Sequence, residues 1–563
     1  MDTRTFFLIA LAMVGFLGYQ AWQEDYAQPK PVEPVESSLI ADPLADESVP
    51  AALPASAAVP VDGAPTDSVT GEPISAPQGD AREVTLQSDL LRLQLSEAGG
   101  SVRKAELLAY PVSLEDETPV MLLRDGGERL FQAHSGLIPA GGGAAPDHNA
   151  RFQFDAAASQ LQGDGEVRAV FTWQDESGLQ VRKTYSIAPG SYEVKLDYAI
   201  NNSGASERGL APYYLMYRLP LPSPSGFISN PERYSFAGAA VYSQEEGFEK
   251  LPFDDYLEDP FKRSITGGWS AMLQHYFVAA WIPPEATPVV YETGILNKTS
   301  AQQRYLIRGV AQAVQVPAGG QTELSARLFV GPKLQDRLPE VAPGLELTVD
   351  YGFFTFFSKP LFWVLSLLHD LTSNWGLAII GLTLLVKLAF FKLSEAQYRS
   401  MARMRKVQPR LEALKERFGD DRQKLAMAQM ELFKKEKINP MGGCLPILVQ
   451  IPVFIALYWV LLGSVEMRNA PWILWIHDLS VKDPYFVLPI IMGATMLIQM
   501  KLNPTPPDPI QAKVMMAMPI VFTFMFLWFP SGLVLYWVVN NVLSVAQQWQ
   551  ITRMIEGGRK KAN

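Results

Sequence analysis

Residues 376–391 read GLAIIGLTLLVKLAFF and contain one charged side chain, Lys387. A helix needs about 20 mostly apolar residues to cross about 30 Å of hydrocarbon, and this run predicts a span over residues 374–393. The C-terminal part of the chain therefore predicts a membrane-embedded helical bundle. Four more apolar runs complete it, over residues 445–463, 484–500, 514–529 and 532–548.

A further apolar run near the N-terminus predicts a sixth transmembrane helix. Arg4 precedes the run from Phe6 to about Trp22, and no A-x-A-like cleavage site follows. We therefore interpret residues 1–26 as an uncleaved signal-anchor rather than a cleaved signal peptide. Residues 27–81 are rich in Pro, Ala, Ser, Asp and Glu, and such a composition buries too little apolar surface to order itself. We expect a flexible linker there.

The pattern changes to period two over residues 82–340. Apolar and polar residues alternate from Tyr192 to Ile200 and again from Leu324 to Val330. Such alternation, punctuated by Gly, Pro and Asn, is typical of antiparallel strands in a sandwich. No long apolar run interrupts the block. We therefore predict an all-β domain that lies on one side of the membrane.

Charge divides the chain in the same way. Residues 23–350 hold 24 Lys and Arg against 44 Asp and Glu, whereas residues 394–440 hold 12 against 7. Loops rich in Lys and Arg are typically cytoplasmic, so the two blocks are expected on opposite sides of the membrane. A seventh span within residues 341–373 would place them on the same side. We therefore interpret residues 341–373 as an interfacial amphipathic helix, with both termini and the basic tail 553–563 in the cytoplasm.

The basic stretch 394–440 is itself patterned as a helical hairpin. Apolar residues recur at three- and four-residue steps up to Phe418, Gly419 begins a turn, and a second helix is expected to about Lys437. The apolar residues are expected to form a seam that packs the two helices of the hairpin against each other. The basic outer face of the hairpin is a candidate docking surface. The seam comprises Met401, Met404, Val407, Leu411, Leu414 and Phe418.

Several function classes are disfavoured. The chain contains neither G-x-x-x-x-G-K-[ST] nor H-E-x-x-H, and its five His residues have no metal-ligand spacing. Cys444 is the only cysteine, so no internal disulfide is possible. We predict no catalytic residue, no cofactor, no metal and no direct binding of nucleic acid.

Lys387 is the most informative residue of the predicted spans. A cation at the centre of a membrane helix costs about 2.5–3.5 kcal/mol and therefore usually faces protein or water. It lies about 9 Å from the inner end of its span, so its stem could instead snorkel to the headgroups. Thr383 lies one turn earlier on the same face. Gln450, Asn540 and Asn541 could join them in a wet cavity, or each could make one interhelical hydrogen bond.

Three motifs resemble the YidC insertase family: NPMGGCLP at 439–446, WIHDLS at 475–480 and FPSGLVLYW at 529–537. The resemblance is continuous from about residue 372 to residue 552, and the large β domain resembles the Gram-negative members. It implies a five-helix insertase core preceded by the N-terminal anchor. It also implies that the β domain is a periplasmic supersandwich, a fold shared with sugar epimerases, although a shared fold does not confer their activity.

The same resemblance implies a hydrophilic groove, open to cytoplasm and lipid. Lys387 stands where the family's groove cation is typically Arg, which keeps the charge and loses the bidentate fork. Thr383 and Gln450 match groove-lining positions. Tyr536 and Trp537 match an aromatic pair that contacts clients, although Trp537 replaces an expected Tyr.

The resemblance also implies the partners. They are nascent membrane proteins, the Sec translocon with its accessory subunits, the phospholipid bilayer, and the ribosome through the hairpin and basic tail. The expected function is insertion and folding of proteins in the bacterial inner membrane. Two other classes remain open: a transporter or channel, and a receptor or scaffold whose working part is residues 82–340.

Overall fold

A computed structural model describes residues 81–221, 236–297, 303–419, 421–436, 445–502 and 509–560. The predicted signal-anchor and nearly all of the predicted linker lie outside these residues. The described part begins with strands β1 to β19. They are Glu83–Gln87, Leu91–Ser96, Ser101–Pro111, Pro119–Leu123, Phe131–Ala140, Gln153–Phe154, Val167–Gln174, Leu179–Ile187, Glu193–Asn202, Arg208–Arg218, Ala239–Ser243, Gly247–Leu251, Lys262–Thr266, Trp269–Leu273, Phe277–Ile282, Pro288–Leu296, Arg304–Ala311, Val314–Val316 and Gln321–Pro332.

The strands form two antiparallel sheets. A ten-stranded sheet has the order β1-β2-β3-β5-β10-β17-β16-β13, with β18 paired to β10 and β4 paired to β3. A nine-stranded sheet has the order β12-β11-β14-β15-β19-β9-β8-β7-β6. Apolar residues of both sheets, such as Leu93 and Leu196, share one core between the sheets. The predicted all-β sandwich is confirmed.

Strand β15 shows why part of the sandwich lacks clean alternation. Trp281 lies in the core between the sheets, whereas its neighbours Ala280 and Ile282 lie in a second apolar core on the opposite face. That second core also contains Tyr351, which follows the β domain. A strand buried on both faces reads as a continuous apolar run, here FVAAWI.

The C-terminal region is helical, as predicted. The short turns Leu338–Val341, Leu345–Thr348 and Gly352–Phe354 follow the sandwich. Helices α1 to α8 then comprise Thr355–Thr372, Trp375–Ala389, Phe391–Phe418, Arg422–Lys435, Leu445–Gly463, Val487–Leu502, Pro509–Phe526 and Ser531–Lys560. Helix α5 has the bounds of the predicted span over residues 445–463. Helix α8 runs without a break through the predicted span 532–548 and into the predicted tail.

The first core helix is shorter than the predicted span over residues 374–393. The helix is interrupted at Phe390, and α3 is bent by 67° relative to α2. Within the described residues, no single helix combines the length and hydropathy expected of a complete membrane crossing. Helices α2 and α3 pass that test only when taken together.

Helices α3 and α4 pack as a hairpin. Val407 and Leu411 of the apolar seam are buried against Leu432 and Phe433 of α4. The side chain of Asp421 accepts a hydrogen bond from the backbone N–H of Lys424, which caps α4. Three residues of the predicted seam, Met404, Val407 and Leu411, therefore pack within the hairpin itself.

The segment after α5 joins the helices to the β domain. One oxygen of Glu466 accepts a hydrogen bond from the Gln335 backbone N–H at 3.1 Å. The other carboxylate oxygen is buried without a hydrogen-bond partner in the described structure. Burial is the main cause that raises the pKa of Glu466 from 4.5 to about 7, and the nearby Asp336 contributes to the increase. The carboxyl group of Glu466 therefore takes up a proton close to neutral pH.

Replacing Glu466 with Gln is expected to remove a pH-dependent loss of stability. Because the folded pKa exceeds the unfolded one, the folded chain binds the extra proton, and the free energy of unfolding falls as pH rises from about 4.5 through about 7. Glu466→Gln should therefore stabilise the protein at pH 8 by up to about 3 kcal/mol and change little at pH 5. Thermal unfolding of the detergent-solubilised protein at both pH values measures this.

The matched control is Glu340→Gln, because the Glu340 side chain is 72% exposed on a nearby turn. This substitution removes a negative charge without changing the contact between Glu466 and Gln335. Subtracting the pH dependence of wild-type unfolding removes the contribution of other groups that titrate at the junction, including His275 and Lys333. An equal effect of Glu466→Gln at pH 5 and pH 8 would contradict the assignment of a buried carboxyl group.

Candidate functional site

Lys387 lies in the last turn of α2 and points towards α8. Its Nζ donates a hydrogen bond to Ser544 Oγ at 2.7 Å, and the side chain is half-buried. The other end of α2 is fixed by Asn374, whose side chain accepts from the Leu377 N–H at 3.0 Å. In this structure the ammonium therefore contacts another helix rather than extending away from the bundle.

The face of α8 that receives Lys387 is polar over a full helical turn. Ser544 Oγ donates to the carbonyl oxygen of Asn540 at 2.6 Å. Gln450 of α5 donates from Nε2 to Asn540 Oδ1 at 2.6 Å. The Tyr398 hydroxyl of α3 donates to the Ser544 carbonyl oxygen at 3.3 Å. Two of the predicted site residues, Lys387 and Gln450, thus meet on one face of α8.

Adjacent positions of α8 extend this polar surface. Asn541 donates from Nδ2 to Thr495 Oγ1 of α6 at 3.2 Å. One turn further, both side-chain polar atoms of Gln547 are buried without a partner in the described structure. Asn541, Ser544 and Gln547 recur at three-residue steps, which places them on neighbouring parts of one face. We name the surface formed by Lys387, Gln450, Asn540, Asn541, Ser544 and Gln547 the polar seam.

Ser544, Gln547 and Tyr398 are absent from the residues proposed from sequence. A signal for them exists, because Asn540, Ser544 and Gln547 form a polar stripe at helical spacing within the predicted last span. Serine and glutamine near the end of a span are individually uninformative. The contact between Ser544 and Lys387, which are 157 positions apart, is what identifies this polar stripe as part of the candidate site.

The other predicted site residues form no hydrogen bond with the Lys387 ammonium in the described structure. Thr383 is 1% exposed, and its hydroxyl donates to the Ile379 carbonyl of its own helix at 2.7 Å. Tyr536 is also 1% exposed, and its hydroxyl lies beside the side chain of Gln450. Trp537 packs edge-on against Phe454 of α5 with ring centroids 4.7 Å apart. In this conformation Thr383 and Tyr536 belong to the packed interior.

The end of the bundle near the β domain is closed by backbone contacts between two of the sequence motifs. The Ser531 N–H donates to the Val481 carbonyl at 2.7 Å, and the Gly532 N–H donates to the Leu479 carbonyl at 3.0 Å. The side chain of Trp475 donates to Asp483 at 3.0 Å. The segment containing WIHDLS is thereby joined to the start of α8. We name this arrangement the outer closure.

The polar seam holds a cation without a matching anion. Lys387 makes no ion pair with any carboxylate of the described residues, and its acceptor is the neutral hydroxyl of Ser544. A charge in an apolar setting attracts polar or anionic groups strongly, because the local dielectric constant is low. The arrangement can therefore receive an acceptor from another chain in exchange for the Ser544 hydroxyl.

The β domain also contains a cluster of titratable residues, but it is enclosed. Lys183 donates to the carbonyl oxygens of Gly99 and Ser135 at 3.1 and 3.0 Å, and it is fully buried. The rings of His134 and His148 lie 5.1 Å apart beside it. No group of three or more potential metal ligands occurs among the described residues. These contacts stabilise the sandwich.

Comparison with known proteins assigns both parts of the chain. Residues 367–560 match the family described as 60Kd inner membrane protein, and residues 83–364 match the YidC periplasmic domain. A membrane protein insertase YidC from Pseudomonas putida (strain W619) is 48% identical over 566 residues, which cover 99% of each chain. The chain belongs to the YidC insertase family.

Other YidC proteins are similar over the same length. The membrane protein insertase YidC of Thioalkalivibrio sulfidiphilus (strain HL-EbGR7) is 46% identical over the whole of both chains. A crystal structure of an active YidC insertase with its first transmembrane domain resolved covers 82% of this chain and 91% of its own, at 17% identity and a TM-score of 0.38. YidC insertases are not enzymes, so family membership supports the expectation that this chain has no catalytic residue.

The hydrogen bond between Gln450 and Asn540 is expected to couple α5 to α8. Polar contacts between membrane helices contribute about 0.6 kcal/mol on average and at most about 1.7 kcal/mol, as double-mutant cycles measure it. A cycle with Gln450→Ala and Asn540→Ala should give a coupling energy in that range. The measurement is reversible unfolding of the purified protein in mixed micelles.

The control cycle combines Gln450→Ala with Asn541→Ala. Asn541 is the next residue of the same helix, but its side chain bonds to Thr495 rather than to Gln450. The control pair should therefore show a coupling energy near zero. Equal coupling in the two cycles would mean that the substitutions act through general helix packing and not through the hydrogen bond.

Proposed function

We propose that this chain inserts client segments into the inner membrane along the polar seam, with Lys387 as the charge that receives them. The observation that carries the proposal is the contact of the Lys387 ammonium with the neutral Ser544 hydroxyl at 2.7 Å. A lysine held by a carboxylate would already be neutralised. A lysine held by a hydroxyl keeps its positive charge available to a client.

The first step is capture of a polar or acidic client residue. Moving such a group out of water is costly unless it finds a partner. Lys387 and the Asn540 and Gln450 amides offer partners at the depth of the bundle, which lowers that cost. The membrane potential assists outward movement of acidic tails by about 2.3 kcal/mol per charge per 100 mV.

The second step is release of the apolar client segment into lipid. Burial of apolar surface drives this step. Trp537 and the neighbouring α7 provide an apolar route, since Ile520 and Phe524 of α7 are 69% and 64% exposed. Thr383 and Tyr536 are packed between helices before a client arrives. In our mechanism the client separates α2 from α8, and this movement exposes both side chains.

The proposed topology has six transmembrane helices with both termini in the cytoplasm. The N-terminal anchor, α2, α5, α6, α7 and α8 are the proposed spans, and α1 is the proposed interfacial helix. One face of α1 supports this role, because Phe356, Trp363 and Leu371 are 82%, 67% and 82% exposed. An apolar face of that size requires lipid or protein as its surroundings.

The proposed partners follow from this topology. The hairpin of α3 and α4 and the end of α8 carry the basic residues that would meet the ribosome. The Arg410 side chain pairs with Glu436 across the hairpin at 2.6 Å, whereas Lys392 is 92% exposed. Nascent membrane proteins are the clients. The Sec translocon with its accessory subunits is a further proposed partner.

Replacing Lys387 with Ala is expected to slow the insertion of clients with acidic N-terminal tails. Loss of the charge leaves a client carboxylate without a partner in the bundle, so we expect at least about a tenfold lower rate. Lys387→Arg should retain most of the activity, since it keeps the positive charge. Reconstituted vesicles with and without a membrane potential provide the measurement, by protease protection of the client.

Lys392→Ala is the matched control, because it removes the same charge five residues further along, on an exposed side chain. It should leave insertion of acidic clients unchanged. A client with a neutral tail should be affected little by either substitution. Unchanged insertion of acidic clients by Lys387→Ala would refute the role of the charge, even where family membership stands.

A further inference from the structure

A small cavity lies where the β domain meets α5. Its volume is about 130 Å³, and its lining includes Lys333, Lys250, His275, Asp350 and Trp459. Lys333 follows the last strand, and its backbone N–H donates to the Tyr276 carbonyl at 2.9 Å. Trp459, Leu462 and Gly463 come from the last turns of α5. The cavity thus has one wall from the sandwich and one from the helical bundle.

Lys333 brings to this cavity a side-chain amine without a hydrogen-bond partner among the described residues. Only 6% of the residue is exposed, and its ammonium forms no hydrogen bond or ion pair with any described residue. Burial is the main cause that lowers the pKa of Lys333 to about 7; the nearby Lys250 contributes to the decrease, and Asp350 opposes it. With this pKa the protonated form of Lys333 is still populated near neutral pH, and an anion bound in the cavity would stabilise that form.

The chain's own groups at the cavity do not supply that anion. The Asp350 carboxylate is paired with the Lys250 ammonium and also accepts the Gly352 N–H at 2.8 Å. His275 donates from Nε2 to the Leu462 carbonyl at 2.8 Å, and burial lowers its pKa to about 4, so it is neutral at physiological pH. The charges of Lys250 and Asp350 cancel. When Lys333 is protonated, Asp350 balances its charge only in part, because the same carboxylate is already paired with Lys250.

We propose that Lys333 and this cavity bind the phosphate group of a phospholipid headgroup at the outer surface of the membrane. Lysine binds phosphate as a compact point charge. The volume suits a phosphate group and excludes a whole lipid, so the acyl chains must lie outside. A tryptophan at the end of a span, here Trp459, is typical of the headgroup level. The inference rests on the proposed topology, which puts the end of α5 at that surface.

The structure offers a path for the acyl chains. Gly352 lines the cavity, and α1 begins three residues later. The first turn of α1 exposes Phe356, and the helix continues with exposed Trp363 and Leu367. A lipid whose phosphate meets Lys333 can therefore lay its chains along the apolar face of α1. Its headgroup would then bridge the β domain and the bundle.

Native mass spectrometry of the full-length protein tests this proposal. The probes are phosphatidylglycerol, diacylglycerol as a lipid without phosphate, and inorganic phosphate. We expect retention of phosphatidylglycerol over diacylglycerol, and about tenfold weaker retention in Lys333→Met, as expected for loss of one charge-assisted contact. The control Lys262→Met removes a lysine that is 61% exposed in the same domain and should retain the lipid.

A second measurement does not depend on folding of the variant. Reductive methylation of the wild-type protein should modify Lys262 in all samples and should be suppressed at Lys333 only when phosphatidylglycerol is present. Equal retention of diacylglycerol, or equal labelling of Lys333 with either lipid, would overturn the proposal. If inorganic phosphate displaces the lipid, the ligand of the cavity is free phosphate and not a phospholipid headgroup.

Client insertion in the same vesicles separates this site from the proposed function. If Lys333→Met loses the lipid while insertion of an acidic client continues, both proposals stand. If wild-type protein inserts the client but never retains phosphatidylglycerol, only the lipid site fails. If neither wild-type activity nor lipid retention is observed, the topology on which both depend is wrong.

Discussion

The hydrogen bond from the Lys387 ammonium to the Ser544 hydroxyl connects the only charged group of α2 to α8. A hydroxyl fixes the direction of the ammonium without cancelling its charge. Gln450 reaches the same face of α8 through Asn540, so α5 and α2 depend on the same acceptor helix. The position of α8 therefore determines whether the polar seam exists at all.

The two ends of the bundle are held by different kinds of contact. At the outer closure, backbone groups of Ser531 and Gly532 bond to the backbone of the segment before α6. In the polar seam, contacts such as that of Lys387 join side chains. Side chains change partners by rotation, whereas exchanging backbone contacts requires the chain itself to move. In the proposed mechanism, the polar seam can therefore open to a client while the backbone contacts of the outer closure are kept.

Much of the architecture could be predicted from sequence, and the gaps have physical causes. Alternation between Tyr192 and Ile200 predicts a half-buried strand. Lys387 stands out as the only charged residue in an apolar run, which marks it as a candidate site residue. The break at Phe390 has no local signal, because neither Gly nor Pro is present there. The partner Ser544 depends on a contact between distant helices. Pattern alone therefore identifies the charge but not what it touches.

The junction between the β domain and the helices also depends on contacts between residues that are distant in sequence. Glu466 contacts the β domain at Gln335, and the Arg468 side chain donates to the Val112 carbonyl at 2.8 Å. Both residues lie in the segment that continues into the outer closure. A rotation of the β domain would therefore pull on the element that keeps the outer end shut. The sandwich is thus joined to the segment of the outer closure through Glu466 and Arg468, even though the polar seam lies entirely within the helices.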